Sequence, residues 1–160
     1  VVPFPGFGGP PTPPDAPGDP DRSAGLDLRS AETELHERFE TERQTTEASE
    51  RAFGGGGTDA YITYLTRHRV AQQYDSAYDG SVPDSEAFDL RCGSRPTLGV
   101  GTSTVDIETF DNEPALVDAL AEELLADGNF REAVLSEREN EAITIHVAPD
   151  GTVFVGYIAC

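Results

Sequence analysis

Apolar and polar positions along this chain follow two periods, and each predicts a different element. From Ala142 to Cys160 they alternate, as Ala-Ile-Thr-Ile-His-Val-Ala and then Thr-Val-Phe-Val-Gly-Tyr-Ile-Ala-Cys, with Pro149-Asp150-Gly151 between. Period-2 runs on either side of a tight-turn tripeptide predict an antiparallel hairpin. Upstream the period lengthens. A first helix is predicted from Ser30 to Arg51, with Ser30 as N-cap and Glu32 and Glu34 in the first turn, where the helix dipole favours anions. Its apolar stripe is narrow, Ala31, Leu35 and Phe39; Glu37, Arg38, Glu40, Glu42 and Arg43 read as a solvated face, with Glu34 and Arg38 at i,i+4 spacing.

Gly54 to Gly57 resemble a flexible linker too short to separate two domains. A second helix fits Asp59 to Tyr74, where Tyr61, Tyr64, Leu65, His68 and Ala71 share a face. Asp75 to Gly101 reads as loop, and Thr104 to Glu108 as a strand. A third helix has Pro114 in its first turn, Leu116, Val117, Leu120, Leu124 and Leu125 as its apolar positions, and Gly128 as terminator. A helical turn over Phe130 to Leu135 follows it. Helices alternating with few strands and closed by a hairpin predict a mixed α/β fold, a three-layer α-β-α sandwich around a small, mostly antiparallel sheet.

Residues 1–29 break the pattern. Pro, Gly and Asp dominate there, as in Pro-Phe-Pro-Gly-Phe-Gly-Gly-Pro-Pro-Thr-Pro-Pro, and such chain is extended and builds no core. The predicted organisation is a disordered tether over 1–29 and one domain over 30–160, a length suited to a single core.

Charge narrows the function classes. The net charge is −19, and every basic residue is Arg. An anionic surface repels nucleic acid and anionic membranes, so neither is an expected partner. A disordered acidic tail would lack the periodic apolar positions, so the composition reads as adaptation to salt, as in a halophilic, archaeal microbe, with an ordinary acidic surface as the plainer explanation.

Cys92 and Cys160 are the two cysteines. Free core thiols are one reading; pairing is the better one, because Cys160 stands last in the sequence and gains little from burial alone. A Cys92–Cys160 disulfide implies an oxidising, extracytoplasmic setting. No stretch is long and apolar enough to cross a membrane, and the sequence begins without a signal peptide.

Several short motifs, taken in their order along the chain, carry a likeness to a known family. The residues that carry the likeness are Leu35-His36-Glu37-Arg38 with Glu42-Arg43, then Thr66-Arg67-His68-Arg69-Val70-Ala71, then the helix Leu116 to Gly128. After them come Gly128-Asn129-Phe130-Arg131-Glu132-Ala133-Val134-Leu135 and a hairpin with Asp150-Gly151 that ends in Tyr157-Ile158-Ala159-Cys160. In this order they resemble the CAP superfamily, the cysteine-rich secretory, antigen 5 and pathogenesis-related 1 proteins, above all its secreted prokaryotic members, with the Gly128 to Leu135 segment in place of that family's Gly-His-Arg-Glu-Asn signature.

The departures bear on chemistry. The resemblance implies a cleft with two histidines and two acidic residues holding a divalent cation, typically zinc, for which imidazole and carboxylate are suitable donors. Phe130 replaces the signature His and Ala133 the Asn; no His lies in Tyr74 to Ser85, and Gly99-Val100-Gly101-Thr102 is the nearest match to the family's Gly-Glu-Asn segment. Glu132 is the remaining ligand candidate, with His68 and His146 as weak additions. Phe130, Arg131, Glu132 and Ala133 thus read as a degenerate signature, and no metal or other cofactor is expected.

Other chemistry finds little support. His36 reads as solvated or capping, and His146 lies on the strand face opposite Ile145 and Val147. Arg91-Cys92-Gly93 reads as disulfide rather than reactive thiol, and Glu137, Glu139 and Glu141 as a solvated charge run. There is no Gly-x-Ser-x-Gly elbow or His-Glu-x-x-His. The expected protein is a secreted or surface-tethered binding or scaffold domain, monomeric and without catalysis, whose partner is an extracellular protein, glycan or lipid. The rival is an extracellular hydrolase, acting on protein or cell envelope through a rearranged His/Glu site.

Overall fold

The first helix starts at Asp27 rather than Ser30: the Asp27 carboxylate accepts the Ser30 backbone N–H at 3.1 Å and caps α1, Leu28–Thr45. The computed structural model describes residues 10–160. Ahead of α1, two short strands, β1 (Arg22–Ser23) and β2 (Leu26–Asp27), pair antiparallel, and Leu26 and Leu28 are buried in the core. Packed chain therefore begins earlier than the sequence boundary at Ser30. At Asp19 the backbone already exchanges hydrogen bonds with Val147, at 2.7 and 3.0 Å. Val1 to Gly9, part of the predicted tether, lie outside the described residues.

The remaining elements are β3 (Ala52–Phe53), α2 (Thr58–Tyr74), β4 (Thr97–Ser103), α3 (Glu113–Ala126), α4 (Gly128–Leu135), β5 (Asn140–Val147) and β6 (Val153–Ala159), with 3₁₀ turns at Ser85–Phe88 and Ile107–Thr109. The strand expected at Thr104 to Glu108 is absent. There the Asp106 carboxylate accepts the Glu108 N–H at 3.0 Å and folds the chain into a turn. The strand lies upstream, in chain expected to be loop, because Gly99 and Gly101 dilute the β-forming residues of β4. Gly128 opens α4 instead of merely ending α3: Asp127 terminates α3, and its carboxylate then accepts the Asn129 and Phe130 N–H groups. The four glycines form a fixed turn, with Gly54 N–H donating to Glu141 O at 2.8 Å and Arg91 N–H to Gly56 O at 3.0 Å.

The main sheet has the order β3-β5-β6-β4, antiparallel except for the short parallel pair β3–β5. Period 2 distributes its side chains. Ile143, Ile145, Val147, Val153, Val155, Tyr157 and Ala159 face α1, α3 and α4 in the larger core, whereas Ala142, Phe154 and Ile158 face α2. Helices on both faces make the three-layer α-β-α sandwich. Burying each large aliphatic side chain contributes roughly 1.5–3 kcal/mol. Among the described residues no helix is long and apolar enough to cross a membrane.

Gly156 sets the distance between α2 and the sheet. A Cβ there would stand 2.0 Å from Thr66 Oγ1 and 3.0 Å from an Ile62 carbon, and the Thr66 hydroxyl is already held by Ile62 O at 2.7 Å. Gly156→Val is expected to destabilise the domain by about 3 kcal/mol through overpacking. A denaturant midpoint unchanged from the parent would show that α2 can retreat.

Candidate functional site

On the α3/α4 side of the sheet edge the layers do not close. Gly99 and Gly101 put no side chain on this face of β4, and an added Cβ at either would meet nothing within 4 Å. The gap is a cavity of about 340 Å³ lined by β4 together with Leu124, Phe130, Ala133, Val155 and Tyr157. Asp127 and Asn129 stand at its rim. The groove is mostly apolar, and its floor is rigid: Phe130 packs on Tyr157 at 4.9 Å between ring centroids and on Phe39 at 5.7 Å. Phe130 and Ala133 thus supply part of its wall.

Behind Tyr157 lies a buried polar cluster. Tyr157 donates its hydroxyl to Glu141 Oε1 at 2.6 Å and accepts from Arg51 Nη1 at 2.7 Å. Glu141 also accepts from His36 Nδ1 at 2.5 Å, from Arg51 and, through both oxygens, from Arg43. Burial pushes the Glu141 carboxyl up, but the hydrogen bonds from His36 and Arg43 outweigh it and hold the group at about 2. Burial combined with the Glu141 charge raises Tyr157, keeping it a phenol. Arg43 reaches further, to the Val134 carbonyl, and pins α4 against α1; Arg51 reaches the Ala133 and Ser136 carbonyls and ties the end of α4 to the chain before β3.

This cluster corrects two sequence expectations. Glu141 is buried rather than part of a solvated run, and Arg43 is buried rather than on a solvated face. Each was indicated by its period: Glu141 falls two residues before Ile143 on the core face of β5, and Arg43 continues the four-residue spacing of Leu35 and Phe39. His36 is neither solvated nor a cap. Arg51, expected at the end of the first helix, lies instead in irregular chain, because α1 stops at Thr45.

His36, Glu40 and Glu141 each offer a ligand atom within 4.8 Å of the others. They do not fit a zinc ion as they stand, because Arg43 lies among them, donating to Glu40 and to both Glu141 oxygens, and supplies the positive charge itself. The weak candidates fare no better. His146 is buried on the α2 face, bonding Pro17 O at 2.8 Å, and desolvation lowers its pKa. His68, on α2, meets the Tyr78 hydroxyl at 2.7 Å. Glu132 is exposed on α4, across the sheet from both histidines, and Arg131 pairs with Glu42 at 3.1 Å on the surface. The structure does not bring Glu132, His68 and His146 together. Cys92 and Cys160 do meet, as a disulfide with 5.1 Å between Cα atoms.

One further buried carboxyl titrates in a useful range. Glu32 accepts the Ile145 N–H at 2.9 Å, and desolvation raises it from 4.5 to about 7. The folded state holds this proton where the unfolded state has released it, so stability falls as pH rises from 4.5 to about 7 and is flat above. Glu32→Gln keeps an acceptor without the charge. It is expected to gain on the order of 3 kcal/mol at pH 8 relative to the parent and little at pH 4. Equal denaturation midpoints at pH 8 would show that the carboxylate is solvated.

No family model and no curated protein matches the chain. Among solved structures it is similar to an outer surface protein from Borrelia burgdorferi, with a TM-score of 0.60 at 5% identity, over 83% of this chain and 93% of that one. The superposition shows a shared fold and, at identity this low, the fold alone.

Proposed function

We propose that this chain is a CAP-like domain that works outside the cell as a binding or scaffold module, without catalysis, and that the groove between β4 and α4 is its binding element. One observation carries the reading. Where the resemblance leads one to expect polar groups, Phe130 and Ala133 form an apolar wall instead. The order of helices and strands supports the family assignment, and the disulfide supports an oxidising, extracytoplasmic setting, reached by secretion or by tethering through the Pro-rich segment. The Lys-free acidic composition supports a salt-rich habitat. A hydrolase would need a mobile base; the His36–Glu141 pair is a poor one, because two arginines and a tyrosine already hold the carboxylate.

The neutral apolar dye Nile red tests the groove directly. It is expected to bind the parent at one site and to lose at least tenfold in affinity with Gly101→Val, which fills the groove from below. Dye binding insensitive to that substitution would place the site elsewhere. A calorimetric zinc titration is expected to show no stoichiometric binding, and a tight one-to-one isotherm would overturn the non-metal reading.

A further inference from the structure

We infer that β4 and the groove beside it form a receptor for one extended peptide segment, which adds to the sheet as a further strand; this deepens the groove reading above and rests on it. The register fixes which backbone groups are open. Asn140 and Cys160 exchange backbone hydrogen bonds, at 2.8 Å in each direction, so the even-numbered residues of β6 bond to β5 and the odd-numbered ones turn to β4. Through the pairing of Thr97, Gly99, Gly101 and Ser103 with Ala159, Tyr157, Val155 and Val153, those four bond inward. Leu98, Val100 and Thr102 therefore present their N–H and C=O groups outward, and none has a partner among the described residues.

The opposite edge of the sheet is treated differently. There β3 covers the start of β5, the Glu32 carboxylate takes the Ile145 N–H, and Asp19 takes both groups of Val147. Proteins blunt an open edge with charge, proline or a covering element. β4 has none of these: Thr-Leu-Gly-Val-Gly-Thr-Ser carries no charged residue and no proline in a chain of net charge −19. Its Leu98, 41% exposed, is the one large exposed hydrophobic residue among those described.

An added strand satisfies all three features. Its backbone pairs with Leu98, Val100 and Thr102. The side chains it places beside Gly99 and Gly101 lie over the groove, toward Leu124 and Phe130, and those on its other face cover Leu98. Charge selects the occupant. A second copy of this chain brings another −19, whereas Glu123, bound to Thr104, favours a cation at the Ser103 end, and Asp127 adds negative charge to the rim. The partner chemistry is thus an uncharged or basic extended segment with apolar residues at alternate positions. A lipid chain would fill the groove and leave the edge amides unpaired.

The test uses a blocked peptide as long as β4, seven residues, alternating valine and threonine with an arginine at one end, and the same peptide N-methylated at every second residue. Amide exchange and chemical shifts of the domain are followed by NMR. Leu98, Val100 and Thr102 are expected to shift and to exchange at least tenfold more slowly with the first peptide. The N-methylated peptide is expected to bind at least tenfold more weakly, and Gly101→Val to impair binding of the first similarly while remaining folded. Shifts confined to groove side chains, with edge exchange unaltered, would overturn the inference in favour of an apolar ligand. Silence up to about 1 mM peptide would overturn it too. A doubled mass in light scattering would give the edge to a second copy. Nile red binding that survives while the peptide stays silent sinks the strand-addition inference alone; loss of both sinks the groove reading as well.

Discussion

Glu141→Ala is expected to cost about 3–5 kcal/mol, the effect of breaking a buried ion pair by removing one partner, which is a large share of an ordinary domain's stability. The size follows from what is stranded. Arg43 and Arg51 have fully buried side chains, and Glu141 is the carboxylate that both engage. Glu40 accepts from Arg43 but offers Arg51 only an acceptor for its backbone N–H, at 3.0 Å. Tyr157 would also lose its acceptor, loosening the groove floor. Replacing the set together, as Arg43→Met, Arg51→Met and Glu141→Leu, removes the charges with their partner and is expected to recover most of the loss. Chemical denaturation of the two variants decides the matter. A Glu141→Ala midpoint at the parent's value would show that water or Glu40 compensates.

The same group predicts an acid limit. Glu141 sits at about 2 against an ordinary 4.5, so its contribution is complete above 4.5 and is lost as pH falls toward 2. Glu32 acts in the opposite direction, between 4.5 and about 7. Considered together, these two groups place their best joint contribution near pH 4.5.

Removal of the disulfide ranks second. Cys92 and Cys160 are 68 residues apart, and closing a loop of that length restricts the unfolded chain by about 4 kcal/mol in the chain-entropy treatment. Cys92→Ser with Cys160→Ser is expected to lower the melting temperature by on the order of 10 °C. Reductant should move the parent by the same amount and leave the double variant unchanged. If reductant shifts both equally, the stabilisation lies elsewhere.

Regular elements were legible where one period ran unbroken. The closing hairpin, α2 and α3 lie within a few residues of their predicted bounds because their apolar positions repeat without interruption. β4 was not legible, since two glycines in seven residues hide a strand whose regularity comes from pairing with β6. The disulfide was readable from two lone cysteines. The polar cluster was not, because Arg43, Arg51 and Glu141 are residue types that composition assigns to the surface, and only their mutual neutralisation, set by tertiary packing, permits burial. The place of Phe130 in the apolar wall was not legible either, because it required knowing that β4 leaves a gap opposite.

The strand order has a consequence for how the chain comes together. β6 is a central strand although it follows every other strand in sequence, and β4 pairs with β6 alone. While synthesis proceeds through α3, α4 and β5, β4 has nothing to bond to, and β5 lacks its main neighbour. The sheet can assemble only after Val153–Ala159 has left the ribosome, so nascent chain stops short of native structure until then, and every pairing of β4 spans the intervening elements, a topology that slows folding.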